Sequence, residues 1–167
     1  MSEKNGLIYA HFLLTSHCSL KHSNMSAVQL KRMRDEAVEP TYGSEEAGAF
    51  DLYAAAEVLL KPGETKVVPL GYAMGIEKGY EVLIRPRSGL SLKTGLRVAN
   101  APGTVDSDYT GEVGVIMHNT SSDKRLIKVG DRVAQGVVQR THRVHFVFVS
   151  QLTPTDRGDG GFGSTGN

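Results

Sequence analysis

The chain has no tryptophan, a single cysteine, and aromatic side chains at only 7% of its 167 residues. One thiol, Cys18, can form neither an internal disulfide nor a cysteine-rich zinc site, so a reducing compartment, the cytoplasm, is the expected setting. Charge of one sign is also lacking. Lys and Arg number 19 against 18 Asp and Glu, a formal net charge of +1. That balance argues against a protein that coats nucleic acid or is drawn to acidic membranes, while leaving room for a local basic pocket. No apolar run approaches the ~18 residues of a membrane span. The best, Leu7–Leu14, is interrupted by His11, and no export-cleavage pattern follows it. Nothing sustains a 3.6-residue period over four turns, and no internal repeat is present.

Glycine is plentiful, at 19 residues, above the usual roughly 7%. Such a chain turns often and lets its backbone approach other groups closely. The length suits one domain or one subunit, which buries roughly 70% of its unfolded-chain surface without staples.

Residues 1–24 read unlike the rest. They hold Cys18 and three of the six histidines, His11, His17 and His22, with no clear period. Met25 then opens a run that looks like a natural start. The leader is either a cloning remnant or upstream extension, or a short extra element that docks on the body. Its histidines have no acidic or cysteine partner at metal-ligand spacing.

From Val28 onward short apolar runs alternate with turn signals every 8–12 residues, the pattern of an all-β sandwich, barrel or jelly roll. The runs are Val28–Met33, Phe50–Ala55, Val58–Leu60, Thr65–Pro69, Tyr72–Ile76, Tyr80–Ile84, Leu96–Ala99, Val113–His118, Leu126–Val129, Val133–Gln139 and Val144–Val149. Only Ser88–Thr94, after Pro86, is expected to form a short helix. The expected organisation is a leader at 1–24, a β domain at 25–152 and a glycine-rich tail at 153–167.

Four segments could carry chemistry, and each has an ordinary reading beside the functional one. The tail from Arg157 to Gly166 holds five glycines, one arginine, one aromatic and a Ser-Thr pair. It is a floppy terminus, or a lid. As a lid, its backbone N–H groups converge on an anion, Arg157 forks onto phosphate oxygens, Ser164 and Thr165 donate hydroxyls, and Phe162 stacks on a planar ring. No Gly-Lys-Ser/Thr ending makes it a Walker A loop. Arg85-Pro86-Arg87-Ser88-Gly89-Leu90 is an ordinary helix start with a surface arginine, or an anion site at unsatisfied N–H groups. In the segment Asn100–Glu112, Asp106 and Asp108 share a face if extended. They are a solvated turn, or carboxylates that hold a metal or activate water. Gln135, in Gly130–Gln135, is a satisfied amide or a ligand donor. Asp51, an acid inside an apolar strand, marks a buried pair or a site.

Together, in order, these segments resemble the five motifs of the trimeric dUTP diphosphatase (dUTPase) family, across about Val28–Gly166. The resemblance implies a distorted jelly-roll or β-barrel-like subunit, a flexible glycine-rich C-terminal tail, and a homotrimer with three sites at subunit junctions. It implies hydrolysis of dUTP to dUMP and pyrophosphate, which keeps uracil out of DNA and supplies dUMP for thymidylate synthesis. Mg²⁺ is the implied cofactor, held by the triphosphate and water with no direct protein ligand. On the matching positions, Asp106 activates the water that attacks the α-phosphorus. Asn100 and the backbone at Gly103 read uracil, Tyr109 lies beneath the deoxyribose and excludes a 2′-hydroxyl, and Phe162 covers the base. Ser88, Gly89 and Gln135 hold the inner phosphates, with Arg87 phosphate-directed or structural. Arg157, Gly163, Ser164 and Thr165 hold the outer phosphate, on a tail supplied by another subunit. Asp51 steadies a site arginine from behind, Arg157 being the candidate.

One departure stands out. The family's first motif reads Ala-Gly-x-Asp-Leu, whereas Ala47-Gly48 lies two residues ahead of Asp51. Either Ala49 takes the glycine's place or a bulge absorbs the extra residue. Three rival readings have stated discriminators. A dCTP deaminase, or bifunctional deaminase-diphosphatase, carries an Arg-Ser-Ser type second segment and lacks the Asp-x-Asp-Tyr string. A dUTPase-like body that controls a protein partner would use the leader and the tail. A capsid-type jelly roll would need no phosphate-directed groups at these positions.

Overall fold

The computed structural model describes residues 28–161. Many strands form where β-branched and apolar residues cluster, and some stop at glycine or proline, as at Gly75 and before Pro86. In chain order they are β1 (Gln29–Arg32), β2 (Thr41–Tyr42), β3 (Phe50–Tyr53), β4 (Val58–Leu60), β5 (Thr65–Pro69), β6 (Tyr72–Gly75) and β7 (Tyr80–Arg85). One short helix, α1 (Ser88–Thr94), follows. Then come β8 (Leu96–Val98), β9 (Gly103–Asp106), β10 (Gly114–Asn119), β11 (Arg125–Ile127) and β12 (Arg132–Arg140). The all-β expectation holds. Four sheets form, ordered β1-β6, β5-β10-β8, β11-β4 and β2-β3-β12-β7-β9, and none of them closes into a barrel among the described residues.

The core lies between these sheets. Leu52, Leu60, Leu70, Val68 and Val82 have no exposed surface, and Met74, Met117, Val115 and Val133 have almost none. Strand parity sets which residues reach it. On β9, Gly103 and Val105 are buried while Thr104 and Asp106 face out. Helix α1 starts because Pro86 ends the preceding strand. It stops at Gly95, whose φ of 74° is left-handed and natural for glycine.

One expectation changes. The run Val144–Val149 does not close the body as a strand. Residues 141–149 have no regular structure, and Phe146 and Phe148 are 93% and 107% exposed. Among the described residues none pairs with this arm as a strand; its root is tied to the body where Thr141 N donates to Gly79 O at 2.9 Å. Of the two alternatives left open before Asp51, no bulge is found on its own strand; the irregularity lies in the opposite strand. The register slips on β12 between Arg132 and Ala134. Gly48 and Ala49 sit in a bend ahead of β3, with open space around Gly48. The segment Gly103–Asp106 is a full strand. It pairs with β7 over four residues.

Candidate active site

The long strand β12 is central. It pairs with β3 on one side and β7 on the other, so Gln135 stands opposite both Asp51 and Arg85. Residues directly opposite across a ladder point to the same face. One face of the sheet therefore carries Asp51, Gln135 and Arg85 in a single cross-strand row.

Asp51 anchors that row. It is 5% exposed, and an isolated charge there would be costly. Two arginines meet it. Arg87 Nε donates to Oδ1 at 2.9 Å, and Arg132 Nη1 donates to Oδ2 at 3.0 Å. Arg87 also donates from Nη1 to the Arg132 carbonyl at 3.2 Å. Within the described chain the acid's partners are Arg87 and Arg132, which flank Asp51 at the strand end. Arg157 lies far along the arm and instead donates Nε to Gly160 O at 2.8 Å. Arg132 is a partner of Asp51 that the sequence reading passed over. Its signal was its place after Gly130-Asp131, at the start of the strand carrying Gln135.

Arg87 doubles as the residue before α1, in extended conformation and with no side-chain cap. Its anchored guanidinium sets where Ser88 and Gly89 emerge, both exposed. Beside it opens a cleft of about 440 Å³ whose walls include Arg87, Lys124, Arg125 and Arg132, with Asp131 as the acid. Its charge suits an anion. Ser88, Gly89 and Gln135 are not among its walls.

The second cluster sits elsewhere on the same sheet. Asp106 ends β9 opposite Glu81 of β7, so two carboxylates face each other on the outer side. Tyr109 follows in a turn, with its N–H on the Asp106 carbonyl at 3.1 Å. The Asn100 amide packs over Gly103; a Cβ at Gly103 would lie 3.2 Å from Asn100 Nδ2. Only glycine keeps that approach without displacing the amide. This explains Gly103 beneath Asn100 in physical terms.

Strand β7 measures the gap between the clusters. Gln135 lies opposite Arg85 and Asp106 opposite Glu81. Four residues of strand span about 13 Å, and Ser88 lies farther on. The structure brings Asp51, Arg87, Arg132 and Gln135 together. Asp106 and Tyr109 form a separate group, and Arg157 belongs to neither. Phe162, Gly163, Ser164, Thr165 and the leader 1–24 lie outside the described residues.

No group of three or more His, Cys, Asp or Glu converges among the described residues. At the outer end of β9, Asp106 is exposed, with Glu81 opposite it across the ladder and the exposed Asp108 two residues on. That donor set suits a magnesium ion carried by phosphate oxygens and water rather than a protein cage. Likewise, no helix among the described residues is long and apolar enough to cross a membrane.

Comparison with known proteins agrees with these motifs. Residues 35–166 match the dUTPase family. The chain is 47% identical over 139 residues to the deoxyuridine 5'-triphosphate nucleotidohydrolase of Nautilia profundicola, covering 83% of this chain and 98% of that protein. It is 45% identical to the enzyme of the same name from Helicobacter pylori strain J99, covering 83% and 96%. Among solved structures, the Staphylococcus bacteriophage 80alpha dUTPase bound to dUPNHPP is similar in fold, with a TM-score of 0.76 at 25% identity, covering 86% of this chain and all of that one.

Proposed function

The chain belongs to the dUTPase family and hydrolyses dUTP to dUMP and pyrophosphate, and from that premise we propose that it works as a homotrimer of jelly-roll-like subunits whose sites lie at the subunit junctions. The observation that carries the site reading is the buried grip of Asp51 on Arg87 and Arg132. It costs two arginines' freedom at a surface cleft, and the chemistry that repays it is recognition of phosphate.

In this reading, Ser88, Gly89 and Gln135 hold the inner phosphates beside Arg87. Asn100 and the Gly103 backbone present donors and acceptors to the uracil edge. A cytosine would leave some of those groups unpaired, which costs several kcal/mol at about 1–3 per group. Tyr109 lies under the deoxyribose and leaves no space or partner for a 2′-hydroxyl. Asp106, exposed on the sheet's outer face, accepts a proton from water as that water's oxygen bonds to the α-phosphorus. The bond from that phosphorus to the bridging oxygen breaks, and the electron pair leaves with pyrophosphate. Magnesium bound to the triphosphate neutralises charge on the leaving group. Arg157, Gly163, Ser164 and Thr165 close over the outer phosphate, and Phe162 covers the base.

Two features support a shared site. The phosphate row and Asp106 are set about 13 Å apart along one strand, too far for one chain to place its water on phosphorus held at its own Ser88. The arm also exposes Val144, Phe146, Val147, Phe148, Val149 and Leu152; two aromatics alone represent roughly 300–500 Å² that water disfavours. A neighbouring copy would cover it. A reducing cytoplasm fits the one thiol.

The test is pyrophosphate release from dUTP, dCTP, dTTP and UTP, with and without Mg²⁺. Release from dUTP alone is expected. Asp106→Asn should lower turnover by about 100-fold or more while dUTP affinity holds. Ammonia release from dCTP, or undiminished turnover by the Asn variant, would refute the reading.

A further inference from the structure

Glu112 follows the Tyr109 turn, and nothing in the reaction as described uses it. Its carboxylate nevertheless has three donors. Arg34 Nε reaches Oε1 at 2.5 Å and Arg34 Nη2 reaches Oε2 at 3.0 Å, a two-pronged pair, while Gly71 N donates to Oε1 at 3.2 Å. Arg34 and Gly71 are themselves tied, because the Gly71 carbonyl accepts Met33 N at 2.7 Å and Arg34 N at 3.0 Å. Gly71 cannot yield. Its φ is +80°, and a Cβ there would lie 2.8 Å from the Cβ atoms of both Ala37 and Ala55. The next residue, Val113, is locked by its N–H to Tyr72 O at 2.9 Å and by its carbonyl to Leu70 N at 3.0 Å.

The other end of Glu112 holds the tyrosine. Tyr109 Oη donates to the Glu112 carbonyl at 2.9 Å. The ring rests on Gly111, where a Cβ would come within 2.7 Å of Oη and 2.8 Å of Cζ. Tyr109 is 46% exposed, so packing alone does not fix its plane. The Arg34 guanidinium holds the Glu112 carboxyl below the usual carboxylate range, and the carboxylate raises the arginine in turn.

We propose that Arg34 and Glu112 are positioning residues that set the plane of the Tyr109 ring and so tune discrimination between deoxyribose and ribose. The inference rests on the reading of Tyr109 as the sugar platform. Arg34 is also the residue just before the span that matches the family, 78 positions from its partner. The link is therefore made by tertiary folding and not by neighbourhood in the sequence. A ring held at one plane presents a flat apolar floor. Released, it can tilt and admit a 2′-hydroxyl.

The experiment compares wild type with Glu112→Gln, Arg34→Met, Arg34→Lys and the double variant Arg34→Met/Glu112→Gln. Binding of dUMP and UMP is measured by calorimetry, and kcat and KM are measured for dUTP and UTP. Glu112→Gln and Arg34→Met should each lower the dUMP-over-UMP affinity ratio by about tenfold, with KM for dUTP rising more than kcat falls. The double variant should be no worse than either single, because the two act as one unit. Arg34→Lys, which keeps the charge but loses the fork, should fall between. The proposal is overturned if the ratio stays within about twofold of wild type, or if dUMP and UMP weaken equally, the mark of a merely structural role. Should Glu112→Gln fail to fold, Arg34→Met at the 44% exposed partner decides alone. If wild type neither hydrolyses dUTP nor prefers dUMP, the platform reading fails first. If it does both and the variants keep its ratio, this inference alone fails.

Discussion

Asp51→Asn should damage stability and substrate capture together. The carboxylate is 5% exposed and satisfies two guanidinium donors, one on each oxygen. An amide keeps one acceptor and turns an N–H₂ toward the other donor. A hydrogen bond to a charged group contributes about 1.5–3 kcal/mol, and the residual bond loses its charge assistance. The two partners weigh differently. The Arg87 side chain is 23% exposed and the Arg132 side chain 52%, so water compensates Arg132 when it is released. Discounting that half leaves a loss of about 2–3 kcal/mol, or roughly 5–10 °C in Tm for a domain of this size. Arg87 also precedes α1 directly, so its release frees the Ser88-Gly89 turn, and KM for dUTP should rise about tenfold. Thermal unfolding by circular dichroism and steady-state kinetics read the two effects. Arg132→Gln should cost less than half as much stability, about 1 kcal/mol. Wild-type Tm and KM in Asp51→Asn, or a larger loss in Arg132→Gln, would refute the reasoning.

Gly136→Ala should destabilise by about 1–3 kcal/mol, because a Cβ there would collide with the ring of Phe50 at Cε2 and Cζ; a shifted urea midpoint at constant slope checks it. Phe146→Ser with Phe148→Ser should leave a folded body that no longer assembles, since both rings are fully exposed on one chain; light scattering that still reports the wild-type mass would contradict the arm's role. The Glu112 carboxyl is lowered by Arg34, so the stability from this pair is present above the ordinary carboxylate range and is lost as pH falls through the depressed value. The stability gap between wild type and Arg34→Met should therefore be full at about pH 7 and close below about pH 4, measured by chemical denaturation across pH.

Local signals made most of the fold legible. Thr65–Pro69, Val58–Leu60 and helix Ser88–Thr94 appear with the bounds their residues suggested, because β-branched runs and a proline stop act within a few residues. Strand β9 was less legible. Gly103, Thr104 and Asp106 look like turn residues, and only pairing with Tyr80–Arg85 makes them strand. Val144–Val149 misled in the other direction. Its composition is that of a strand, but a strand needs an edge, and none of the described residues supplies one. The site divides in the same way. Residue types announced Asp51, Arg87, Asp106 and Gln135. The partners Arg132 for Asp51 and Arg34 for Glu112 come from tertiary placement across 81 and 78 positions, which no local pattern encodes.

The ladder explains why such a small domain would operate in copies. Its phosphate-facing row crosses β7 at Arg85. Asp106, the proposed water-activating acid, meets the same strand at Glu81. The arm leaves at Thr141, bonded to Gly79 at the acid's end. From Thr141 to Asp156 the chain can extend up to about 50 Å, so Arg157 can travel well beyond its own sheet. A rigid strand cannot shorten to bring acid and phosphate row together, and a free arm cannot stay exposed with six large apolar side chains in water. Both conflicts are relieved by one arrangement. In the proposed trimer, a second copy sets its phosphate row against this acid, and the arm crosses over, burying its apolar face as it carries the arginine to a neighbouring site. In that arrangement assembly and catalysis draw on the same contacts.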